Sequence, residues 1–310
     1  MKRIINFGIE EVYDISTGKQ KYDTLLIGRG QGRGVLESGQ APSFEEKMQQ
    51  FDALMESGVK LPLGGIDKKG QPAWEAMSER DLKCRYNKFR PDHNWNSGKQ
   101  GLRVYISPTS WQEWRQDYNR SEEDAQKLQA LGQKQHQDLG YYFSQGLGAA
   151  VITVTSEGNA AVGIRSSDSY DGAIHGAAGW MIFNRDISKV HPDNDAYREL
   201  KEELDIDAIS VSSMNLLGLV AYPKTLEADF VYVARTHKPT EYITSGTWKE
   251  AVDAREHRDW VVLHNPDQVY RLLEEGKIPA SKESTYEVLP STAYGLEMLA
   301  ENWEHFTRRR

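Results

Sequence analysis

Arg198-Glu199-Leu200-Lys201-Glu202-Glu203-Leu204 is the stretch whose reading decides this chain. On a helix, Glu199, Glu202 and Glu203 stand at i, i+3 and i+4, so their carboxylates share one face. Tyr197, Leu200 and Leu204 make a separate apolar face suited to docking on a sheet. A charge run of this kind is ordinarily a solvated face. Three like charges on one face nevertheless repel one another unless a cation lies between them. A hard divalent ion with oxygen ligands, Mg²⁺ or Mn²⁺, answers that need.

Working outward, the helix is expected over about Asp195 to Asp205, preceded by a Gly/Ala-rich stretch, Gly172 to Gly179. Before that, Leu147–Thr155, a Ser156-Glu157-Gly158-Asn159 turn and Ala160–Ser166 read as a β-hairpin. Strands are expected at Leu216–Tyr222, Ala228–Ala234 and Asp259–Leu263, and helices at Pro266–Glu275 and Ser291–His305. Strands broken by a few helices, without regular βαβ alternation, indicate an α+β fold. Upstream, strands at Ile4–Ile9, Thr24–Ile27 and Arg103–Ser107 and a helix over Ser43–Glu56 are expected, with residues 59–100 dominated by loops. Ser110–Tyr118 places Trp111, Trp114 and Tyr118 at i, i+3 and i+7, and Ser121–Gln137 reads as a charged, solvated helix or a connector. Character changes near residue 146, which divides the chain into a smaller α/β domain, 1–145, of unknown role and a second domain, 146–310.

Composition narrows the function. The chain has 310 residues, 38% hydrophobic and 27% charged, which is long and apolar enough for two folded domains. Its 46 acidic against 38 basic residues give a net charge of −8, a poor balance for binding nucleic acid or an anionic membrane. One cysteine, Cys84, allows neither an internal disulfide nor a thiolate zinc cage. No stretch reads as a signal peptide or a membrane span, so a cytoplasmic location is expected. Self-association is left open.

The glutamate helix resembles the signature of the Nudix hydrolases, Gly-x5-Glu-x7-Arg-Glu-U-x-Glu-Glu-x-Gly-U, with U a bulky apolar residue. Arg198, Glu199, Leu200, Glu202, Glu203 and Ile206 match its right half, and Ala178-Gly179 resembles the small pair that opens it. The resemblance implies an α/β/α sandwich with a mixed sheet. It also implies catalytic Mg²⁺ held by Glu199, Glu202 and Glu203, contact of the Gly179 carbonyl with metal, and Arg198 orienting the glutamates. The left half departs from the pattern. Gly179 to Arg198 spans 19 positions where the pattern has 14, the first glutamate slot falls on Arg185 or Val190, and Asp205 replaces the closing glycine.

A long loop before the helix and Asp in place of the closing glycine are similar to the UDP-glucose/UDP-galactose pyrophosphatase branch. Thr109-Ser110-Trp111-x-x-Trp114, Leu147-Gly148-Ala149-Ala150, Arg165-Ser166, Glu227-Ala228-Asp229-Phe230 and Leu289-Pro290-Ser291 fall in the same order as in that branch. The resemblance implies Mg²⁺-dependent hydrolysis of a nucleoside diphosphate linked to a second group, UDP-sugars foremost. ADP-ribose, a dinucleotide or a biosynthetic nucleotide are alternatives, as is a catalytically weak domain that binds a nucleotide. It also implies a late glutamate acting as general base or extra ligand. Glu256 stands in the expected place, with Glu250 second, and either Glu256 or Glu203 is expected to help deprotonate the attacking water. Arg165, His175 and Trp180 are candidate substrate-binding residues, and His257 and Trp248 are further candidates. The glycine-rich loop Gly28–Gly34 matches neither a P-loop nor a dinucleotide fingerprint and reads best as a hairpin turn.

Overall fold

A computed structural model describes residues 82–92 and 101–310, apart from 138, 167–168, 185–189, 223, 279–284 and 309–310, together with three short upstream strands. Those strands are β1 (Tyr13–Ile15), β2 (Thr24–Arg29) and β3 (Val35–Ser38), followed by β4 (Leu82–Asp92) and β5 (Gly101–Ser110). Helices α1 (Trp111–Tyr118) and α2 (Glu122–His136) lead into β6 (Leu147–Val154), β7 (Ala160–Arg165), β8 (Ile174–His175) and β9 (Ala177–Trp180). The glutamate helix is α3 (Pro192–Leu204); β10 (Val211–Ala221), β11 (Ala228–Thr236), α4 (Thr240–Thr244) and β12 (His257–Leu263) follow. Helices α5 (Pro266–Glu275), α6 (Pro290–Glu301) and α7 (Trp303–Thr307) end the chain.

The main sheet runs β1-β2-β10-β11-β6-β7-β12, with β8 beside β7 and β9 beside β6. It is mixed, because β11 and β6 pair in parallel while the other neighbours are antiparallel. A smaller sheet has the order β3-β5-β4. Strand β6 is buried along its whole length, as an unbroken apolar run at the middle of a covered sheet should be. Its alternation sorts the core into two layers. Leu147, Ala149 and Val151 face Leu200 and Leu204 of α3, whereas Ile152 and Val154 face Val269 and Leu272 of α5 and Leu296 and Leu299 of α6. Helices therefore cover both faces of the sheet, and the fold is α+β. Gly295 lets α6 sit close, since a Cβ there would fall 2.7 Å from Ile152 Cγ1.

Several expectations change. Residues 82–92 form an eleven-residue strand where a loop was expected. Leu82, Cys84 and Tyr86 alternate inward, and the pattern was obscured by Arg85, which is buried and donates to the carbonyls of Phe143, Gly140 and Tyr141. Helix α2 is not wholly solvated: Ala125 and Leu128 pack with Phe143 and Leu226. The last helix breaks at Asn302 into α6 and α7. Helix α3 begins at Pro192, three residues before the expected start, because proline is pre-set for the first helical turn. Its apolar face uses Ala196 rather than Tyr197. The expected strand at Ile4–Ile9, the helix at Ser43–Glu56 and the Gly30–Gly34 part of the glycine-rich loop lie outside the described residues, while Gly28 and Arg29 end β2.

The division at residue 145 stays a proposal. The structure stitches 82–86 to the division itself and to a segment beyond it. Cys84 N–H donates to Met181 O at 2.9 Å, Phe183 N–H to Leu82 O at 3.1 Å and Tyr86 N–H to Gln145 O at 3.0 Å. Among the described residues no helix is long and apolar enough to cross a membrane.

Candidate active site

Helix α3 lies against β9, and this packing sets the three glutamates apart. Glu199 and Glu203 are buried, while Glu202 is about a third exposed at the rim. Gly179 is what lets the helix approach. A Cβ there would lie 2.4 Å from Glu199 Oε1, so only glycine leaves room for a carboxylate beside the backbone. At the far end of α3, Asp205 holds φ 52°, the left-handed cap usually given to glycine. Asp tolerates this conformation, and its carboxylate is tied to Lys201, which explains how the closing glycine can be absent.

Arg198 staples the site. Its Nη1 donates to Glu202 Oε2 at 2.6 Å, and its Nη2 donates to Trp180 O at 3.0 Å and Asp195 Oδ1 at 3.0 Å. Nη2 also lies 2.6 Å from Glu199 Oε1. Asp195 is a partner that the motif did not reveal. Burial raises its pKa and Arg198 opposes that shift. Glu203 accepts from Ala178 N–H at 3.2 Å and is hydrogen-bonded to His257 Nε2 at 2.8 Å. His257 is thus a core residue behind Glu203 and does not face the cleft. Burial, then Arg165, lowers its pKa to about 3. Its ring has room only because residue 163 is glycine, where a Cβ would fall 2.1 Å from Nδ1.

Glu256 lies across the cleft, 39% exposed, with Oε2 3.2 Å from Arg165 Nη2. Arg165 Nη1 donates to His175 Nδ1 at 3.1 Å, so His175 is the neutral ring behind the arginine. Burial is the main cause of its lowered pKa, Arg165 the second. Trp180 lines the same cleft, about 340 Å³, with Gly179, Arg198, Glu199, Glu202 and Asp253. An adjoining hollow of about 650 Å³ opens past Trp111, Arg115 and Arg255. Besides His257, two candidates are not brought there. Trp248 is 2% exposed and belongs to the core with Trp260, and Glu250 is exposed away from the lining. Of the two places for the first signature glutamate, Val190 is core and Arg185 lies outside the described residues.

The donors fit a hard cation. Burial pushes the Glu199 carboxyl well above its ordinary range, with Arg198 opposing the rise and Glu203, Glu202 and Glu256 adding to it. Burial and then Glu256 do the same to Glu203. Glu199 Oε1 accepts no well-directed hydrogen bond although it is buried. A divalent ion is what this excess of buried negative charge calls for. Among the described residues no three such side chains are already gathered around a point. A bound ion would have to draw Glu199 away from Arg198.

The inner end of the cleft is a region the sequence reading missed. Helix α1 presents a stack: Trp111 on Trp114 at 4.4 Å and Trp114 on Tyr118 at 5.1 Å, with Trp180 edge-on to Trp114 at 5.5 Å. Beyond it lie two buried acids from β11 and the turn before it. Tyr170 OH donates to Glu227 Oε1 at 2.7 Å and Tyr222 OH to Asp229 Oδ2 at 3.0 Å. Burial, then Asp229, raises Glu227 to about 8, and burial raises Asp229 to about 6. The sequence offered two signals, the i, i+3, i+7 aromatic spacing of α1 and the resemblance of Thr109–Trp114, Glu227–Phe230 and Leu289–Ser291 to one branch, but neither gave Glu227 or Asp229 a role.

No family model matches this chain, and no curated protein matches it in sequence. It is similar to several solved structures. One is a NUDIX hydrolase from Listeria monocytogenes, 15% identical, covering 52% of this chain and 96% of that one, TM-score 0.34. Another is a pyrophosphohydrolase from Bacillus subtilis, 13% identical, covering 53% and 85%, TM-score 0.32. A third is the bifunctional NMN adenylyltransferase/ADP ribose pyrophosphatase of Francisella tularensis, 12% identical, covering 51% and 41%, TM-score 0.31.

Proposed function

We propose that this chain is a Nudix-type pyrophosphohydrolase acting on a nucleoside diphosphate linked to a second group, with UDP-sugars the favoured class and UMP and a sugar 1-phosphate the products. The observation that carries this reading is one of convergence. Glu199, Glu202 and Gly179 meet Glu256, from the turn before β12, and Arg165, from the end of β7, in one cleft, with Glu203 bonded behind Ala178. Glu199, Glu202, Glu203 and the Gly179 carbonyl would hold Mg²⁺ or Mn²⁺, which supplies charge neutralisation on the pyrophosphate and lowers the pKa of a water.

The remaining chemistry belongs to side chains. Arg198 fixes Glu202 and Glu199 relative to the Trp180 carbonyl, so the carboxylates meet the substrate pre-oriented. Glu256, at the rim, accepts the proton of the attacking water. Glu203 is less suited to that task, because its oxygens are already engaged by Ala178 and His257. The water oxygen bonds to one phosphorus, the anhydride P–O bond breaks, and the leaving phosphate keeps the electron pair. Arg165, backed by His175, faces the pyrophosphate, and Trp180 packs against a ring of the substrate.

The test is turnover by purified protein with Mg²⁺ on UDP-glucose, ADP-ribose and a dinucleoside polyphosphate, with products separated by chromatography. UMP and glucose 1-phosphate are expected from UDP-glucose. Binding of nucleotide without cleavage of any of the three would overturn the hydrolase reading.

A further inference from the structure

We propose that the inner end of the cleft is a subsite for the hydroxylated ring of the group linked to the nucleotide, with neighbouring hydroxyls donating to Glu227 and Asp229 and a ring face laid on Trp180. This rests on reading the site as a pyrophosphohydrolase and names which end of the substrate goes inward. Three observations carry it.

The first is that room has been kept for these groups. A Cβ at Gly148 would fall 2.3 Å from Asp229 Oδ1, and one at Gly146 would fall 2.3 Å from Trp180 Cζ2. Gly148 in β6 and Gly146 just before it thus seat the carboxylate and the indole that line the same cleft. The second is the chemistry of the lining. Both acids are buried; Tyr170 OH donates to one oxygen of Glu227 and Tyr222 OH to one of Asp229, with Thr225, Trp114 and Ser291 as further polar neighbours. A carboxylate offers about four acceptor positions, so the wall can take further donors. Asp229, at about 6, is ionised at neutral pH, so even with Glu227 protonated the wall is a poor match for a phosphate or a carboxylate, which bring acceptors and negative charge. A ring with adjacent O–H groups and a C–H face satisfies both the acids and the indole. The third is a donor held loosely at the wall. The Trp114 indole N–H, on a side chain 2% exposed, interacts with Glu227 without a close, well-directed hydrogen bond, and a hydroxyl oxygen of the same ring would accept from it. The base then lies in the outer hollow by Trp111.

Calorimetry with Mg²⁺ on the Glu202→Gln protein, slowed enough to titrate, separates the cases. UDP-glucose should bind at least tenfold more tightly than UDP. A 2-deoxyglucose analogue should fall between them, and UDP-glucuronate, with a carboxylate on the ring, should lose most of the advantage. Adding Glu227→Gln or Asp229→Asn should abolish the UDP-glucose advantage while leaving UDP affinity within about threefold, which also reports that the variant is folded. Should either variant not fold, the four-ligand series on the parent protein decides alone. Equal affinity for UDP and UDP-glucose, or an advantage that survives both substitutions, would overturn the subsite. If wild-type protein cleaves UDP-glucose yet shows no sugar advantage, the hydrolase reading stands and this one fails. An advantage without any turnover gives the reverse.

Discussion

The two ends of the cleft treat buried carboxylates in opposite ways. At the glutamate end the acids are paired with a cation, Arg198, that touches Glu199 and Glu202, and their number still exceeds the positive charge available. At the inner end Glu227 and Asp229 are hydrogen-bonded to the neutral hydroxyls of Tyr170 and Tyr222. The contrast teaches what each end is built to meet. An acid cluster short of positive charge suits a metal ion and the phosphates it brings. Acids already satisfied by neutral donors suit more neutral donors, and their raised pKa values express the same environment.

The largest effect should come from the glutamate end. Glu202→Gln or Glu203→Gln keeps size and helix propensity but removes a charged ligand. Turnover should fall at least roughly a hundredfold, about 2.7 kcal/mol of transition-state stabilisation. Because burial and Glu256 already penalise charge on Glu203, the Glu203→Gln protein without metal should be no less stable to urea at neutral pH. Wild-type turnover in either variant would erase the distinction between the two ends.

Next in size is a substitution that reaches Glu203 from behind. In Gly163→Ala the new methyl meets His257 Nδ1 at 2.1 Å and must displace the ring that hydrogen-bonds Glu203. Overpacking of this kind costs about 1–3 kcal/mol of stability. If the ring positions Glu203, kcat should also fall about thirtyfold, near 2 kcal/mol, with KM for UDP-glucose little changed. A stability loss with kcat intact would make His257 a core residue and nothing more.

The same contrast explains what was legible in the sequence. The glutamate end is written within one helix, so period alone places Glu199, Glu202 and Glu203 on one face and Arg198 beside them. The hairpin β6–β7 and helix α5 were equally plain, because apolar runs and caps are local. The inner end is assembled from α1, the loop at Tyr170, β9, the β10–β11 turn and α6, and no spacing links Trp114 to Glu227 or Tyr222 to Ser291. Strand β4 was lost for a related reason: Arg85 is buried, and only the carbonyls of 140–143 that it caps make such burial tolerable. His257 and Trp248 were misjudged because a polar neighbourhood in sequence says nothing of depth in the fold.

The third prediction asks whether metal acts at one end only. UDP affinity should rise about tenfold when Mg²⁺ is added, a coupling of about 1.4 kcal/mol, since the phosphates complete a site whose protein ligands are few. Calorimetric titration with UDP in Mg²⁺ and in EDTA measures it. Glu227→Gln should leave this ratio unchanged, whereas Glu202→Gln should shrink it. Loss of the coupling in Glu227→Gln would join the two ends into one site.

The smallest effect concerns the inner end without any ligand. Glu227 ionises in the ordinary carboxylate range when unfolded, and at about 8 when folded, because of burial first and Asp229 second. Between those values the folded protein holds a proton that the unfolded chain has released. The folded state binds more protons, so stability falls as pH rises through that window and levels off above it. A full proton is worth about 1.4 kcal/mol per pH unit. Asp229, at about 6, is mostly ionised by pH 6.5, so Glu227 dominates beyond that point. His257, lowered to about 3, gives the opposite slope on the acid side, but it does so in wild type and variant alike and cancels in their difference. Urea unfolding at pH 6.5 and 7.5 should therefore show wild type losing about 1 kcal/mol more than Glu227→Gln. Identical slopes would mean that Glu227 is charged throughout, and the neutral character assigned to the inner end would be wrong.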